Sequence, residues 1–523
     1  MFDYVIIGAG SAGCVLANRL TEDPAVRVLL LEAGGPDKKQ EIQIPAAFPK
    51  LFKTDSDWAY QTEPEPQLEN RSIFWPRGKT LGGSSAINAM VYSRANRADH
   101  DRWREEFGVS GWSYEEMLPY YKKSEHNERW ENRWHGRGGP LNVSDARSVN
   151  PLSREFVEAG RAAGIPLNED FNGETQEGIG IFQVTLKGGR RCSAAAAFLK
   201  PAMARPNLTI RTGAQVTRLL FDKTRAVGVA FVHEGREQQA TAAREILLSG
   251  GTINSPQTLM LSGIGPADHL RSRDIPVILD LPGVGQNLQD HPLIGVEFEC
   301  TQPIGLHKAD NALNILRYLL FRNGPLSSNV AEAGAFLRTR SNLPAPDLEL
   351  IFAPVFYMES GMANPDLHGF SIGTVVQHPE SRGQIRLRSN DPLEAPAIHA
   401  NYFAEESDML TAVEGVRISR ELLHAKPFDR FRGKEWWPGE TARTEQDLVQ
   451  HVRRTSETLY HPVGTCRIGI DALAVVDERL RVRGIDGLRV VDASVIPAQT
   501  TGHTHAPVLA LAEKAADLIR AGH

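Results

Sequence analysis

Three glycines near the start of the chain have the spacing of a nucleotide-binding turn. Gly8, Gly10 and Gly13 form a GxGxxG segment between an apolar run, Tyr4 to Ile7, and a helical stretch, Cys14 to Leu20. In such a segment the first glycine permits a tight turn and the second lets the backbone approach a pyrophosphate at the helix N-terminus, while the third allows close packing of helix on strand. The pattern predicts a dinucleotide site.

An acidic residue follows at the spacing that such a site requires. Glu32 ends the predicted strand Val28 to Leu31 and lies 19 residues beyond Gly13. Its carboxylate can accept hydrogen bonds from the adenosine ribose, and its charge would repel a 2'-phosphate. NADP is therefore disfavoured, although this motif alone does not separate NAD from FAD.

A second glycine-rich segment, KTLGGSSAIN, occupies Lys79 to Asn88. Gly82, Gly83, Ser84 and Ser85 have small side chains, so a flat ring system can lie close to the backbone there. Amides and hydroxyls of the same segment can reach the polar atoms of that ring.

Longer motifs show a family resemblance. The segments GKTLGGSSAINAMVYSRA (78–95) and GTINSPQTLMLSGIG (251–265) resemble the two signatures of the glucose-methanol-choline (GMC) family of flavoprotein oxidoreductases. The resemblance continues at PGVGQNLQDHP (282–292), YHPVGTCRIG (460–469) and VVDASVIP (490–497), and it spans nearly the whole chain. It implies FAD rather than a nicotinamide cofactor, and oxidation of a primary alcohol to the aldehyde.

The resemblance also implies which residues bind FAD. They are Gly8, Gly10, Ser11, Gly13, Glu32, Ala33, Gly82, Gly83, Ser84, Asn88, Ala89, Val91, Val216, Asp492, Ala493 and Thr504. Some relatives attach the flavin through a histidine at the position of Ile87, so non-covalent binding is expected here. Asp492 has an alternative interpretation as a helix N-cap before Ser494.

Two histidines stand out among sixteen because of their motifs, His461 in YHPVGTC and His503 in TTGHTHAP. By resemblance both lie at the flavin ring, and His503 rather than His505 takes the second position. An alcohol loses hydride readily only as its hydroxyl proton leaves, which requires a base such as imidazole nearby. We expect His461 to remove that proton and His503 to hydrogen-bond the forming alkoxide, although the sequence does not decide which histidine is the base.

Substrate residues are less clearly indicated. Glu332 is a candidate for binding a cationic alcohol such as choline, or it is a structural acid. Phe352 and Tyr460 are candidates for the pocket wall, as are Phe356, Tyr357, Trp436 and Trp437, although such aromatics are often core residues. The long motifs resemble most the bacterial branch of choline and alcohol dehydrogenases.

Several activities remain open. The electron acceptor is a quinone or oxygen, so both a dehydrogenase and an oxidase are possible. A flavin-containing hydroxynitrile lyase and a non-catalytic flavin-binding protein are alternatives within the same fold.

The order of the predicted elements indicates an α/β fold with two domains. A Rossmann-like FAD-binding domain would comprise residues 1–149, 191–297 and 459–523. A substrate domain built on an antiparallel sheet would be inserted as residues 150–190 and 298–458, because alternating runs such as Asp347 to Ile351, Ser371 to Val376 and Gln384 to Leu387 are typical of such strands.

Composition excludes several partners. Lysine and arginine number 58 against 64 aspartates and glutamates, a formal charge of -6, which argues against nucleic acid. The four cysteines are scattered without a CxxC pair, which favours a reduced compartment and predicts no metal site. The sequence does not predict the oligomeric state.

The expected location is the cytoplasm. The chain has no basic leader at its N-terminus and no apolar run of about eighteen residues, so neither a signal peptide nor a membrane-spanning helix is expected. The segment Asn311 to Arg322 carries leucines and arginines at helical spacing. It is either an ordinary helix with one face on the core, which is the favoured interpretation, or a peripheral contact with the inner membrane face.

Overall fold

Two large β-sheets form the frame of the molecule. The computed structural model describes residues 1–363 and 365–522, and within this part fourteen strands form two seven-stranded sheets. In chain order these strands are β1 (Phe2–Ile7), β2 (Val28–Glu32), β3 (Gly178–Ile181), β4 (Leu208–Thr212), β5 (Ala214–Asp222), β6 (Arg225–His233), β7 (Arg236–Leu248), β8 (Pro292–Cys300), β9 (Ala333–Leu337), β10 (Leu348–Ala353), β11 (Gly369–Val376), β12 (Arg432–Trp437), β13 (Glu457–Thr458) and β14 (Leu488–Val490).

Helices cover both sheets. The longer ones are α1 (Ser11–Leu20), α2 (Arg97–Phe107), α3 (Tyr114–Ser124), α4 (Pro151–Ala162), α5 (Gly251–Leu261), α6 (Ala312–Phe321), α7 (Glu406–His424), α8 (Glu445–Thr455) and α9 (His505–Ala521). Short helical segments are Gln40–Gln43, Pro45–Leu51, Pro66–Leu68, Gly83–Ala86, Ala195–Leu199, Lys200–Ala202, Ala267–Arg271, Pro325–Ser327, Glu359–Gly361, Lys426–Phe428 and Ala493–Val495. Short strands outside the two sheets are Tyr60–Gln61, Phe74–Trp75, Glu125–Asn127, Leu141–Asp145, Gln183–Val184, Leu186–Lys187, Arg190–Arg191, Ile264–Gly265, Leu279–Asp280, Gln384–Arg386 and Ala397–His399.

The first sheet is parallel at its centre. Its strand order is β4-β2-β1-β7-β6-β5, and β14 pairs with β7. Strands β1, β2 and β4, the end of β7, and β14 run parallel, while β5 to β7 form an antiparallel meander. Every residue of β2, which reads VLLLE, is buried, as an inner parallel strand requires. The predicted Rossmann-like sheet is therefore confirmed.

The second sheet is antiparallel throughout. Its order is β12-β8-β11-β10-β9-β3, and β13 pairs with β8. The predicted runs 347–351 and 371–376 fall in β10 and β11. The run 384–387 does not join this sheet, because Gln384–Arg386 pairs with Ala397–His399 in a separate ribbon. Helix α7 packs on one face of the sheet, and the other face lines a cavity.

The predicted domain boundary at residue 297 falls inside a strand. Residues Pro292–Cys300 form one strand of the second sheet, and Glu297 pairs with Ser371 of β11. All strands of the first sheet lie in the segments assigned to the FAD domain, so the division into two domains stays a prediction with this one displaced edge. In residues 1–363 and 365–522, no helix combines the length and apolar character needed to cross a bilayer.

Candidate active site

The first glycine segment forms the tight turn between β1 and α1. Gly8 has a φ of +96°, and a Cβ there would lie 2.4 Å from the carbonyl oxygen of Ser249. A Cβ on Gly13 would lie 1.9 Å from the carbonyl oxygen of Gly8, so the helix and the turn touch at that point. A Cβ on Gly10 would meet no described atom within 4 Å, which leaves the helix N-terminus open to a bound group.

The second glycine segment packs directly on the first. Gly82 has a φ of +93° and its N–H donates to the carbonyl oxygen of Ala9 at 2.8 Å. A Cβ on Gly83 would lie 2.7 Å from Cα of Gly10. The two segments therefore form one continuous glycine surface, although they are about seventy residues apart in the sequence.

A single cavity extends from these glycines to the second sheet. Most of the residues predicted to bind FAD line it, namely Gly8, Gly10, Ser11, Glu32, Ala33, Gly83, Ser84, Asn88, Ala89, Val91, Val216, Asp492, Ala493 and Thr504. Gly13 and Gly82 do not line it, because they are the points where helix, turn and second segment pack together. A cavity lined by these glycines and by an uncapped helix N-terminus fits FAD.

Glu32 has a structural task besides its expected contact with the ribose. One carboxylate oxygen accepts from the N–H of Ala9 and the other from the N–H of Gly34, both at 2.8 Å. Burial raises the pKa of this carboxyl to about 7. Glu32 thus holds the glycine turn in shape before any cofactor contact is made.

At the other side of the cofactor cavity, Asp492 combines the two interpretations that the sequence leaves open. It caps the short helix Ala493–Val495, since Oδ1 accepts from the N–H of Ser494 at 2.8 Å. Oδ2 accepts from the N–H of Gly251 at 2.9 Å and from Oγ of Ser255 at 2.5 Å. Ile87 also lines the cavity, and its hydrocarbon side chain offers no atom for a covalent link to the flavin.

The two predicted histidines lie side by side in the cavity wall. The ring centroids of His461 and His503 are 4.8 Å apart, and the planes are inclined at 75°. Burial, followed by the neighbouring His503 and His291, holds the pKa of His461 well below its usual range. His461 is therefore neutral near neutral pH and can accept a proton.

A third histidine fixes the tautomer of His461. Nε2 of His291 lies 2.9 Å from the carbonyl oxygen of Gln377, which can only accept, so Nε2 must carry the proton. Burial lowers the pKa of His291 to about 3, so its Nδ1 is an acceptor. That Nδ1 lies 3.0 Å from Nδ1 of His461, which must then donate. Nε2 of His461 is left with a free lone pair.

His503 is held by a buried carboxylate. Nε2 of His503 lies 3.0 Å from Oε1 of Glu349, and the other oxygen of Glu349 accepts from Nε2 of Gln377 at 3.0 Å. Glu349 is fully buried. Its contact engages Nε2 of His503, which leaves Nδ1 as the ring nitrogen that can meet a ligand.

Asp290 holds the backbone of His461 in place. The N–H of His461 donates to Oδ1 of Asp290 at 2.8 Å, and Oδ2 of Asp290 accepts from the hydroxyls of Thr458 and Tyr402. Burial raises the pKa of Asp290 to about 6. Sequence reasoning assigned no role to Asp290, His291 or Glu349. Asp290 and His291 belong to the QDHP motif, which could have indicated a role at the site. No motif surrounds Glu349, so the sequence does not distinguish it from other glutamates.

Of the candidate substrate residues, Tyr460, Tyr357 and Trp437 line the cavity. The hydroxyl of Tyr460 lies 3.3 Å from that of Tyr357. Phe356 and Trp436 instead pack on each other, with ring centroids 5.6 Å apart.

Glu332 and Phe352 require a correction, because neither lines the cavity. The Glu332 carboxylate is buried and accepts from the N–H of Asn150 at 2.7 Å, from Oγ of Ser153 at 2.7 Å and from Oγ of Ser328 at 2.5 Å. Phe352 stacks on Phe156 in the core, with centroids 5.1 Å apart. The structural interpretation of Glu332 is the correct one.

Fold and cavity together define a flavin-dependent oxidoreductase. The model of the GMC oxidoreductase family matches residues 2–293 and 379–512, and the chain belongs to that family. It is similar to the mitochondrial choline dehydrogenase of Mus musculus, with 43% identity over 100% of this chain and 90% of the relative. It is also similar to the oxygen-dependent choline dehydrogenase of Burkholderia pseudomallei (strain 1710b), with 46% identity over 99% and 94%.

Solved structures agree with this assignment. Pyridoxine 4-oxidase from Mesorbium loti is 33% identical, with a TM-score of 0.92 over 100% of both chains. Formate oxidase of Aspergillus oryzae RIB40 is 30% identical, with a TM-score of 0.93 over 100% of this chain and 98% of that chain. The protein is therefore an FAD-dependent enzyme that oxidises CH–OH donors, and the expected family, fold and cofactor are confirmed.

Proposed function

We propose that His461 is the base that removes the hydroxyl proton of a primary alcohol, and that the product is the aldehyde. The observation that carries this proposal is the hydrogen-bond chain from Gln377 through His291 to His461. The chain leaves Nε2 of His461 as a neutral acceptor at the cavity surface. Bound FAD supplies the acceptor for the hydride of the alcohol carbon.

His503 has the complementary role in this proposal. Its Nε2 is engaged by Glu349, so Nδ1 is the nitrogen available to the alcohol oxygen. A donor held beside the base stabilises the negative charge that develops on that oxygen as the proton leaves. The pairing of His503 with a buried carboxylate, and of His461 with a neutral histidine, supports His461 rather than His503 as the base.

The test is the reduction of the flavin by an alcohol in the absence of oxygen. His461→Ala should stay yellow but lose most of its bleaching rate, about 10²- to 10⁴-fold, because a general base contributes on that scale. His399→Ala is a control, since His399 lies in the ribbon Ala397–His399 outside the cavity. Near-normal bleaching by His461→Ala would contradict the role of this base.

The same experiment distinguishes the alternative activities. A flavin that no alcohol bleaches would favour a lyase or a non-catalytic flavin-binding protein. Readmitting air after bleaching separates an oxidase from a dehydrogenase, because only an oxidase is reoxidised quickly by oxygen. The names of the relatives include both choline dehydrogenases and oxidases, so an aliphatic, aromatic or choline-like alcohol with oxygen or a quinone as acceptor is proposed.

Peripheral membrane contact is a second proposal, and the surface of helix α6 supports it. Tyr318 is the buried residue of this helix, so the favoured expectation of an ordinary core-packing helix is wrong. Six large apolar side chains are exposed, between 42% and 74%, namely Leu313, Ile315, Leu316, Leu319, Leu320 and Phe321. Arg317 and Arg322 flank them, which suits an anionic lipid surface.

The position of α6 connects that surface with the cavity. The hydroxyl of Tyr318 donates to the carbonyl oxygen of Gln43, and Lys50 pairs with Asp310 just before the helix. The intervening segment Pro45–Leu51 carries Phe48, which lines the cavity. A quinone dissolved in the membrane would therefore approach the side of the molecule that bounds the cavity.

Vesicle sedimentation tests the membrane contact. The enzyme should bind vesicles that contain anionic lipid, and the double variant Leu316→Gln/Leu320→Gln should bind them about tenfold more weakly, since exposed leucines contribute by burial of their apolar area. Leu410→Gln is the control, because Leu410 is 55% exposed on α7. Equal binding by the double variant would contradict the proposal.

A further inference from the structure

A buried carboxyl group with one unpaired oxygen lies in the wall of the cavity formed by the second sheet. Alternate residues of β8, Leu293, Gly295 and Glu297, face the cavity, as the two-residue period of a strand requires. Glu297 is fully buried, and its Oε1 has no hydrogen-bond partner among the residues that the structure describes. An unpaired buried acceptor is costly, so it marks a place where a ligand can donate.

The free oxygen borders an open space. A Cβ on Gly295 would lie 3.1 Å from Oε1 of Glu297 and 3.6 Å from Cε3 of Trp437. The absence of a side chain at Gly295 therefore leaves room between the carboxylate and the indole face. A cationic group in that space would touch both, and aromatic faces attract cations.

The other oxygen of Glu297 is already occupied. Oε2 contacts Oγ of Ser371, which lies 2.7 Å from the carbonyl oxygen of Val355 and accepts from the N–H of Tyr357 at 3.0 Å. The hydroxyl of Ser371 carries one proton, but both the carbonyl oxygen of Val355 and Oε2 of Glu297 lie within hydrogen-bond distance of it. Both contacts can be hydrogen bonds if Glu297 is protonated and donates to Ser371. Burial raises the pKa of Glu297 to about 8, in agreement. Oε1 is left without a donor, and an ammonium group placed there would favour the ionised carboxylate.

The charges around this space favour a positive ligand. Glu457 also lines the cavity from β13, where it pairs with Leu293, and burial raises its pKa to about 6. Among the described residues of the lining, Arg77 is the only lysine or arginine, and its guanidinium donates to the carbonyl oxygen of Tyr460. A protonated amine would therefore meet two carboxyl groups at this end of the cavity.

Glu297 is distant from the catalytic histidines. His503 contacts Glu349 of β10. Through Val375, Glu349 lies level with Leu293, four residues before Glu297 on β8, or about 13 Å in an extended strand. The hydroxyl and nitrogen of choline are only three bonds apart, so choline cannot reach from His461 to Glu297. The cavity wall between the histidines and Glu297 includes the apolar side chains of Ile351 and Ala353.

We propose that the substrate is a primary alcohol with an apolar chain whose far end carries a protonated amine, and that this amine donates to Oε1 of Glu297. The inference rests on the proposed oxidation at His461 and names the substrate class of that same site. It makes Glu297 a specificity residue, with Trp437 and Glu457 beside the same group.

The experiment compares hexanol with aminohexanol, whose amine is on the carbon farthest from the hydroxyl, by anaerobic flavin reduction and by steady-state turnover of the holoenzyme. A charge-assisted hydrogen bond predicts a kcat/KM about tenfold or more higher for aminohexanol. Glu297→Gln should bring this ratio close to one. Glu299→Gln, on the same strand but outside the cavity, should keep the full ratio.

Three outcomes would overturn the inference: equal kcat/KM for the two alcohols in the wild type, an unchanged ratio in Glu297→Gln, or a higher kcat/KM for choline than for aminohexanol. A readout independent of the variant is inhibition by hexylamine, which should compete with hexanol because it carries the amine alone. Absence of that inhibition counts against the amine site. Failure of the proposed function looks different, because then neither alcohol bleaches the flavin.

Discussion

The two ends of the cavity differ in how they are built. At the cofactor end, the residues predicted from sequence line the cavity except for Gly13 and Gly82, which pack beneath it. At the substrate end, Tyr460 lines the cavity, whereas Glu332 and Phe352 lie in the core. The cofactor end is formed by backbone turns with local spacing, and the substrate end by side chains that meet only when strands pair.

A substitution in the glycine surface beneath the cofactor end should have the largest effect on stability and FAD binding. Gly13→Ala would place a Cβ 1.9 Å from the carbonyl oxygen of Gly8, where the backbone cannot move aside. We expect a loss of at least about 4 kcal/mol in the free energy of unfolding and a colourless protein. Flavin absorbance and thermal unfolding followed by circular dichroism measure both.

Gly10→Ala is the matched control for that substitution. Its Cβ would point into the open cavity, so the fold should survive while the affinity for FAD falls. If Gly13→Ala bound FAD normally, the close packing of the two glycine segments would not be what forms the cofactor end.

Substitution of His291, which lies between the cofactor end and the substrate end, should have the next largest effect, on kcat. His291→Ala should lower kcat about 10- to 100-fold with little change in KM, because Nδ1 of His461 loses its acceptor. His291 is also one of the neighbours that lower the pKa of His461. The acidic limb of the kcat/KM profile, where His461 becomes protonated, should therefore move to higher pH.

A merely structural role of His291 would predict something else. His291→Gln keeps an oxygen that can accept from His461, so it should recover much of the rate, while the profile stays shifted because the imidazole is absent. Reduced stability in both variants with an unchanged pH profile would show that His291 does not orient the base.

These contacts show where sequence reasoning stops. The roles of Gly8, Gly10 and Gly13 depend on neighbours within a few residues, so their spacing was sufficient to predict them. Glu297 faces the cavity because β8 pairs with β11 and β12, whose residues lie about 70 and 140 positions further along the chain. A sequence pattern does not show that pairing. On sequence grounds Glu332 was a suitable candidate for binding a cation, until the structure showed three protein groups that donate to its carboxylate.

The pH dependence of substrate preference sharpens the comparison at the substrate end. The pKa of Glu297 is raised to about 8 by burial, and Glu457 nearby adds to the rise. The carboxylate is the form that attracts an ammonium group, so the aminohexanol to hexanol ratio of kcat/KM should rise as pH increases toward about 8. Taking the ratio cancels the titration of His461, which affects both alcohols. A ratio that falls over this range would contradict an ionised Glu297 in the complex.

Matched glutamine substitutions distinguish the two buried glutamates, Glu332 and Glu297, and Glu332→Gln should have the smallest effect on catalysis. Glu332→Gln replaces an acceptor of three hydrogen bonds by an amide that can accept with one atom only, so the free energy of unfolding should fall by about 1 to 3 kcal/mol. The ratio for the two alcohols should not change, because Glu332 lies outside the cavity. Glu297→Gln should do the opposite, since its free oxygen stabilises no contact within the described protein. Denaturant unfolding and kcat/KM measured on both variants compare them directly. A changed preference in Glu332→Gln would mean that substrate recognition extends through the core to Ser153 and Ser328, and that the boundary of the substrate end lies deeper than the cavity wall.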